Sequence, residues 1–328
     1  LFTLRTKRVI GLNPRCTSDS MTSIDMLVVG VGRWGLCHLK SLKELQDAGE
    51  IGDLLAYDID NSKRQIVEEL GVIWAPEERR KNAAAVISSS SESHYEVAMQ
   101  LIDAGMHVLI EKPMAQTVEE ARSLMEAALS KGVHVDTGLL LRHHPAVKQA
   151  RRLIAEGKIG QIERIHCSRH STRINSKGES IIDILAIHYL DLCCHLLHEA
   201  EPKSLSSETT ENEEKISCSI SMEYEPGIEA ICDVSWGSEK DVKRMQIFGT
   251  IDTLTIEFDN HEEIIIGNQR FKLANPESPL KAELRSFINR IVAGIDISSI
   301  PQRPALRSVS WKDMLNFSAS GVVELQQH

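Results

Sequence analysis

The chain has 328 residues, of which 42% are hydrophobic and 26% are charged, and its formal net charge is -10. This size allows two domains, the acidic balance argues against a non-specific nucleic-acid binder, and no apolar run approaches the roughly 20 residues of a membrane span. Seven cysteines without a C-x-x-C pair predict reduced thiols and a cytoplasmic protein.

Residues 1–20 are expected to lie outside the fold. Four basic residues precede the first acidic one, and no continuous apolar core of a secretory signal is present. An organelle transit peptide would share this composition. We favour an upstream extension or a misassigned start, with Met21 or Met26 as the natural first residue.

Residues 21–145 alternate between short apolar runs and amphipathic stretches. The predicted strands are 26–30, 54–57, 85–88, 108–110 and 133–135, and the predicted helices are 36–45, 63–70, 95–104 and 118–128. Strands that alternate with helices are typical of a parallel, doubly wound Rossmann sheet.

Residues 146–328 have a different pattern, in which strand follows strand. The predicted strands are 162–168, 216–222, 228–236, 244–249, 253–258 and 263–266, and the predicted helices are 147–156, 182–197 and a tail helix from residue 279. This order predicts a second domain built on a mostly antiparallel sheet. A polar segment at 173–179 and a loop at 199–214 are expected to shape a pocket.

A glycine motif joins the first strand to the first helix. Gly30, Gly32 and Gly35 form G-x-G-x-x-G, with Arg33 and Trp34 between the last two glycines. Where such a loop opens a strand–helix–strand unit, its glycines allow a tight turn and a close approach to a pyrophosphate. The motif therefore predicts a dinucleotide-binding domain, against the alternative of a glycine turn with no cofactor.

Asp58 ends the second predicted strand. A carboxylate at this point accepts hydrogen bonds from the adenosine ribose and repels a 2′-phosphate, which favours NAD. Lys63 and Arg64 follow closely in the sequence, so NADP remains an alternative cofactor.

Glu111-Lys112-Pro113 directly follows the strand predicted at 108–110. Ligands of open parallel sheets bind beyond the carboxyl ends of the strands, so Lys112 is a candidate site residue. A surface lysine that pairs with Glu111 at the rim is the alternative.

Together with the glycine loop and Asp58, this tripeptide resembles the Gfo/Idh/MocA family of glucose-fructose oxidoreductase and inositol dehydrogenase. The resemblance runs from about residue 24 to the C-terminus. Segment 89–94 corresponds to the family's T-P-N-x-x-H loop, and segment 138–145 to its G-x-x-x-R-F-x-P motif. The resemblance implies that the cofactor also contacts residues outside the glycine loop, namely Ser89, Ser90, His94, Glu111, Lys112 and Arg142.

The family's last motif is an Asp, a His four residues later and an Asp three residues after that. His188 and Asp191 match, whereas Ile184 occupies the first Asp position. Asp183 is displaced by one residue, a rotation of about 100° on a helix, and is expected not to replace the missing carboxylate.

The resemblance implies hydride transfer between NAD(P) and a secondary alcohol of a sugar, nucleotide-linked sugar or cyclitol. His188 would be the general base, Lys112 would stabilise the alkoxide-like oxygen, and Asp191 would orient His188 or bind a substrate hydroxyl. A segment similarity to nucleotide-linked sugar 3-dehydrogenases favours that substrate class.

Other interpretations stay open. Ile184 is consistent with a cofactor-binding regulator that has lost turnover, and the fold alone also allows a carbonyl or imine reductase. His188 could be a packed helix residue, or could share a metal with Asp191 and His195, although we expect no metal. A homodimer or homotetramer, paired through an apolar outer face of the second sheet, is also expected, with a small-molecule substrate and no nucleic-acid or membrane partner.

Overall fold

A computed structural model describes residues 23–75, 83–174, 180–212, 214–274, 276–297, 303–317 and 321–324. The extension expected at 1–20 and most of the polar segment at 173–179 lie outside these ranges. In the described part of the chain, no helix combines the length and apolarity needed to cross a membrane.

The first domain is a six-stranded parallel sheet with the order β3-β2-β1-β4-β5-β6. Its strands are β1 (Met26–Val29), β2 (Leu54–Tyr57), β3 (Ile73–Trp74), β4 (Ala84–Ile87), β5 (His107–Ile110) and β6 (Val135–Thr137). The intervening helices are α1 (Arg33–Asp47), α2 (Arg64–Glu69), α3 (His94–Asp103) and α4 (Val118–Lys131). The prediction of a doubly wound Rossmann sheet is confirmed.

Helices cover both faces of this sheet, which explains its uninterrupted apolar strands. Val28 and Leu54 pack into one buried cluster, whereas Leu27 and Val108 pack into another on the opposite face. The order of strands reverses between β1 and β4. A crevice is therefore expected beyond the carboxyl ends of these two strands.

The second domain is a nine-stranded sheet with the order β14-β13-β12-β11-β7-β10-β9-β8-β15. Its strands are β7 (Ile162–His170), β8 (Ser204–Glu211), β9 (Ile216–Tyr224), β10 (Ile228–Trp236), β11 (Val242–Gly249), β12 (Thr253–Glu257), β13 (Glu263–Ile266), β14 (Gln269–Lys272) and β15 (Gly321–Glu324). Only β7 and β10 pair in parallel among these strands, so the prediction of a mostly antiparallel sheet is confirmed.

Two helices, α5 (Pro145–Ala155) and α6 (Ile187–Leu196), pack on the inner face of the second sheet. The helix predicted at 182–197 covers α6, but its first turn is a π-helix, Ile182–Ala186. The loop predicted at 199–214 is wrong over Ser204–Glu211, which forms β8 and pairs with β9. This strand has one buried apolar residue, Leu205, and is held mainly by backbone hydrogen bonds, so the hydrophobic pattern does not reveal it.

The chain returns to the first domain at its end. In α7 (Pro279–Val292), Leu284 and Phe287 pack into the first domain's core. The next helix, α8 (Arg303–Phe317), contributes Val309 to the first domain's core and Trp311 to the second. The helices α7 and α8 therefore join the two domains, although both lie within the range predicted for the second.

The outer face of the second sheet is polar, contrary to the apolar face expected. His166 Nε2 lies 2.7 Å from Asp233 Oδ2 on this face, and Ser219, Ser221 and Gln246 lie on the same side. Because this face is polar, burial of an apolar surface gives no argument that two copies of the chain pair through this sheet.

Candidate active site

The glycine loop connects β1 to α1 and packs against the end of β4. Gly30 has a φ of +91°, and a Cβ atom on it would lie 2.5 Å from the backbone nitrogen of Ser89. A Cβ atom on Gly35 would lie 1.9 Å from the carbonyl oxygen of Gly30. At Gly32, by contrast, a Cβ atom would meet nothing within 4 Å. Gly32 thus presents bare backbone to open space, as a pyrophosphate requires.

The glycine loop and the first turn of α1 together form a cradle for a pyrophosphate. Gly32 precedes the helix and has no side chain to cap it, so the positive end of the helix dipole is available to a phosphate. Arg33 and Trp34 begin the helix and are exposed. Both are therefore available to contact a cofactor in the way the sequence predicts.

Asp58 lies at the other end of the cradle, directly after β2. Its Oδ2 accepts a hydrogen bond from the Val31 backbone N–H at 2.6 Å, and its Oδ1 accepts one from the Asp60 N–H at 2.9 Å. A carboxylate oxygen has a second acceptor site, so both atoms can still bind ribose hydroxyls. The loop, the helix start and Asp58 together fit a dinucleotide.

Lys112 follows β5 and reaches across to the second domain. Its Nζ donates a hydrogen bond to the backbone oxygen of Asp183 at 2.6 Å. The neighbouring Glu111 is buried, and its Oε1 lies 2.7 Å from Nε2 of His38 on α1. Burial opposes ionisation of Glu111, but the His38 hydrogen bond and the positive charge of Lys112 lower its pKa. Glu111 is thus a buried anion next to Lys112.

His188, on α6, lies within electrostatic reach of Lys112 and Glu111. Its pKa is lowered to about 4, chiefly by burial and then by the Lys112 charge, while the carboxylates of Glu111 and Asp191 act in the opposite direction. Its Nδ1 is buried and has no hydrogen-bond partner among the described residues. The imidazole is therefore uncharged at neutral pH and has a lone pair for a proton.

The unfolding free energy is expected to fall as pH drops from about 6.5 to about 4. The folded-state pKa of His188 is about 4 against 6.5 for an unperturbed histidine, and His107, His143 and His144 are lowered to the same value. In this window the unfolded chain binds protons that the folded chain does not, which costs about 1.4 kcal/mol per pH unit for each group. Urea unfolding at several pH values measures the slope.

A His188→Gln variant should show a shallower slope over this pH range, by one proton. The control is His198→Asn, which replaces an exposed histidine. An unchanged slope in His188→Gln would mean that His188 titrates alike in the folded and unfolded chains.

The loop after β4 is held by His94, which is buried and bonded on both ring nitrogens. Its Nδ1 lies 2.7 Å from the carbonyl oxygen of Pro113, and its Nε2 lies 3.1 Å from that of Ser89. The ring thus joins the loop after β4 to the loop after β5, a different role from the cofactor contact expected from the sequence. Ser90 is exposed at this edge, and the Ser89 hydroxyl bonds to the Ser93 hydroxyl at 2.8 Å.

Asp191 belongs to a buried ion cluster. Arg142 binds it through Nε and Nη2, at 2.6 Å each, and Arg307 of α8 approaches it at 3.3 Å. Glu199 completes the cluster by accepting hydrogen bonds from both arginines. Burial opposes ionisation of Glu199, but its bonds to His195 and the two arginines hold its pKa well below the usual range.

In this cluster, two residues have partners that the sequence did not predict. The Asp191 carboxylate is bound by arginines, so it does not orient His188 through a hydrogen bond. Arg142 is turned towards Asp191 and lines a cavity of about 600 Å³ behind β6, and neither Lys112 nor His188 is among that cavity's described lining residues. Sequence spacing gave no indication of Arg307, because it lies 116 residues from Asp191.

Two family models match this chain. The model of the oxidoreductase family GFO/IDH/MocA, NAD-binding Rossmann fold, matches residues 24–139, and the C-terminal domain model of the same family matches residues 147–255. The chain belongs to the GFO/IDH/MocA oxidoreductase family. The resemblance noted in the sequence is therefore confirmed, and the dinucleotide cradle is the family's NAD-binding Rossmann domain.

Several curated relatives of this chain are named as inositol dehydrogenases. The chain is 26% identical over 179 residues to inositol 2-dehydrogenase of Gluconacetobacter diazotrophicus, which covers 50% of this chain and 52% of that protein. The chain thus spans about half the length of the curated relatives it matches.

Solved structures share the whole fold. UDP-N-acetylglucosamine 3-dehydrogenase from Acidithiobacillus ferrooxidans has a TM-score of 0.78 and 22% identity, covering 91% of this chain and 98% of that one. An inositol dehydrogenase homolog from Azotobacter vinelandii, in complex with NADH and myo-inositol, has a TM-score of 0.77 and 19% identity, covering 93% and 98%. Identities this low show a common fold.

The geometry does not support a metal site shared by His188, Asp191 and His195. Asp191 pairs with Arg142, and His195 lies 2.9 Å from Glu199, so these side chains do not converge on His188. Among the described residues, no group of three or more His, Cys, Asp or Glu side chains could hold a metal ion.

Proposed function

We propose that this protein is an NAD-dependent dehydrogenase that oxidises a secondary alcohol of a sugar, nucleotide-linked sugar or cyclitol. The observation that carries the proposal is the hydrogen bond from Lys112, at the carboxyl end of β5, to the turn of the second domain that precedes His188. The two groups are close enough for the Lys112 charge to lower the pKa of His188. A cationic donor beside an uncharged base is the pair that alcohol oxidation requires.

We assign a separate role to each residue of the site. NAD, when bound in the cradle, supplies the hydride acceptor. His188 takes the proton of the substrate hydroxyl, because its imidazole is uncharged at neutral pH. Lys112 donates a hydrogen bond to the oxygen on which negative charge develops. Glu111 keeps a compensating negative charge behind Lys112, and His38 fixes that carboxylate.

Within this class, nucleotide-linked sugars and cyclitols are the leading substrates. These two groups are suggested by the similar proteins, inositol 2-dehydrogenase and UDP-N-acetylglucosamine 3-dehydrogenase. Stopped-flow measurement of nicotinamide reduction should be run with myo-inositol, UDP-N-acetylglucosamine and a set of free sugars. We expect hydride transfer with at least one of them, and with NAD in preference to NADP because Asp58 repels a 2′-phosphate.

A cofactor-binding regulator without turnover is the second candidate, and Ile184 in the family's carboxylate position favours it. The same experiment separates the two. Tight NADH binding, together with no reduction of NAD by any compound of the panel, would support the regulator and contradict the dehydrogenase.

Replacing Gly32 with alanine is expected to weaken NADH binding by about tenfold or more, because the new methyl group occupies the space of the pyrophosphate. The folded protein without ligand should keep its stability, since Gly32 has a φ of -74° and a Cβ atom there meets nothing within 4 Å. Fluorescence titration with NADH and thermal unfolding measure the two effects.

Gly35→Ala serves as the contrast to Gly32→Ala. Its Cβ atom would lie 1.9 Å from the Gly30 oxygen, so it should destabilise the fold even without cofactor. Unchanged NADH affinity in Gly32→Ala would place the pyrophosphate elsewhere.

A further inference from the structure

The cavity behind β6 is separate from the dinucleotide crevice. Its volume of about 600 Å³ is in the range of small-molecule pockets. Its walls come from α4 and β6 of the first domain, from α5 and α6 of the second, and from α7 and α8, which join the two. Neither Lys112 nor His188 is among its described lining residues, and the glycine loop is not either. Pockets between domains are common ligand sites.

Glu283 of α7 lines this cavity with a carboxyl group that has no partner. The residue is 3% exposed, and neither carboxyl oxygen has a hydrogen bond within the described part of the chain. The Leu139 N–H, a nearby backbone donor, donates to the Thr137 carbonyl oxygen at 2.8 Å. Burial, and then the negative charge of Glu111, raise the pKa of Glu283 well above its usual range. The group is therefore a neutral acid that can donate a hydrogen bond.

Arg290, also on α7, has a second unpaired polar atom. Its Nη2 pairs with Asp136 and its Nη1 donates to the Ser286 hydroxyl at 3.0 Å, but its buried Nε has no partner among the described residues. Residues 283, 286 and 290 lie at i, i+3 and i+7, so they share one face of the helix, and all three line the cavity. Buried polar groups without partners are costly, so this face requires a ligand or water with acceptor atoms.

The wall formed by α5 is cationic. Lys148 and Arg151 line the cavity three residues apart, and neither has an ion pair with another described residue. Arg151 Nη1 lies 3.4 Å from His195 Nε2, so its other N–H groups remain available. The two acidic side chains of the described lining do not balance this charge, because Asp136 pairs with Arg290 and Glu283 is neutral.

His143 is a departure of this chain from its family's pattern. The family's G-x-x-x-R-F-x-P motif has Phe at this position, and the histidine here lines the cavity. Its ring has no hydrogen-bond partner among the described residues. Burial, followed by the charges of Lys148 and Arg142, lowers its pKa to about 4. The uncharged ring has one N–H to donate at neutral pH.

We propose that this cavity is a second ligand site, which takes a small organic acid. Its unpaired groups are mainly donors and cations, and a carboxylate is an acceptor that suits both. The wall of α4 and β6 includes Met125, Leu129 and Val135, which suit an apolar body. The inference is independent of the proposed dehydrogenase function, because it uses none of the residues assigned to hydride transfer.

A titration with 1-naphthaleneacetate tests the site, with binding followed by saturation-transfer NMR. Saturating NAD is present, so that the dinucleotide crevice is occupied. We expect a dissociation constant of about 0.1–1 mM. 1-Naphthaleneacetamide has a similar shape without the charge and should bind about tenfold more weakly or worse. Equal affinity for the two compounds, no binding of the acid below about 10 mM, or loss of its binding when NAD is added would overturn the proposal.

Two variants locate the bound acid. Arg151→Met and His143→Phe should each weaken its binding by about tenfold or more. Phe is the family's residue at position 143, so this variant should fold, which thermal unfolding checks. The matched control is Arg152→Met, because Arg152 is the next residue of α5, pairs with Glu156 and is not among the described lining residues.

Unchanged affinity in either variant, or an equal loss in Arg152→Met, would overturn the site. The titration requires no turnover. If the protein oxidises no alcohol and still binds the acid at this cavity, the proposed function is wrong and the second site stands.

Discussion

Lys112→Met is expected to lower kcat by about 100- to 1,000-fold without weakening NADH binding. Methionine keeps an apolar stem of similar length but has no charge to stabilise the alkoxide-like oxygen of the substrate. It also cannot donate to the Asp183 carbonyl, the observed partner of the lysine. Steady-state kinetics with the best substrate of the panel, together with a fluorescence titration with NADH, measure both quantities.

Lys131→Met is the control for this variant. Lys131 ends α4 and forms a surface ion pair with Asp103, far along the chain from the crevice, so its loss should leave kcat unchanged. Full turnover in Lys112→Met would remove Lys112 from the chemistry and return it to the surface-lysine interpretation.

Asp191→Ala is expected to lower the free energy of unfolding by about 3–5 kcal/mol. The change removes one of the two carboxylates that both Arg142 and Arg307 bind, and it is the more buried of the two, because the Asp191 side chain is 3% exposed and that of Glu199 is 29% exposed. At roughly 2–4 °C per kcal/mol, the thermal midpoint should fall by about 10 °C. Differential scanning calorimetry or thermal circular dichroism gives the shift.

The matched control removes an exposed pair of the same chemistry. Arg152 and Glu156 lie 2.7 Å apart on α5, with side chains 70% and 38% exposed, so Arg152→Ala should cost less than about 1 kcal/mol. If Asp191→Ala were as mild as this control, the cluster would not hold α6, α8 and the Arg142 turn together.

Local chemistry made much of the site predictable from the sequence. The glycine loop, Asp58 and Lys112 each follow a buried strand, and parallel strands bring their carboxyl ends to one edge. His188 was predictable only through the family resemblance. Its neighbours on the helix form a nearly continuous apolar run, which by itself indicates packing.

What the sequence could not show depends on long-range contacts or on a local departure from regular geometry. Arg142 and His94 match family motifs, yet the structure commits them to Asp191 and to two carbonyl oxygens. No spacing rule connects Arg307 to Asp191. The helix that carries His188 begins with a π turn, Ile182–Ala186, so a count of residues at α-helical period does not describe this turn.

Transfer of deuterium is the most direct test of the central claim, that hydride passes from a secondary alcohol to the nicotinamide at the Lys112–His188 crevice. The best substrate of the panel, deuterated at its secondary alcohol carbons, is incubated with NAD and the protein, and the NADH formed is analysed by mass spectrometry. We expect NADH that carries deuterium in its nicotinamide ring, and we expect it to form much more slowly with Lys112→Met. NADH without deuterium, or no NADH from any compound of the panel, would contradict it.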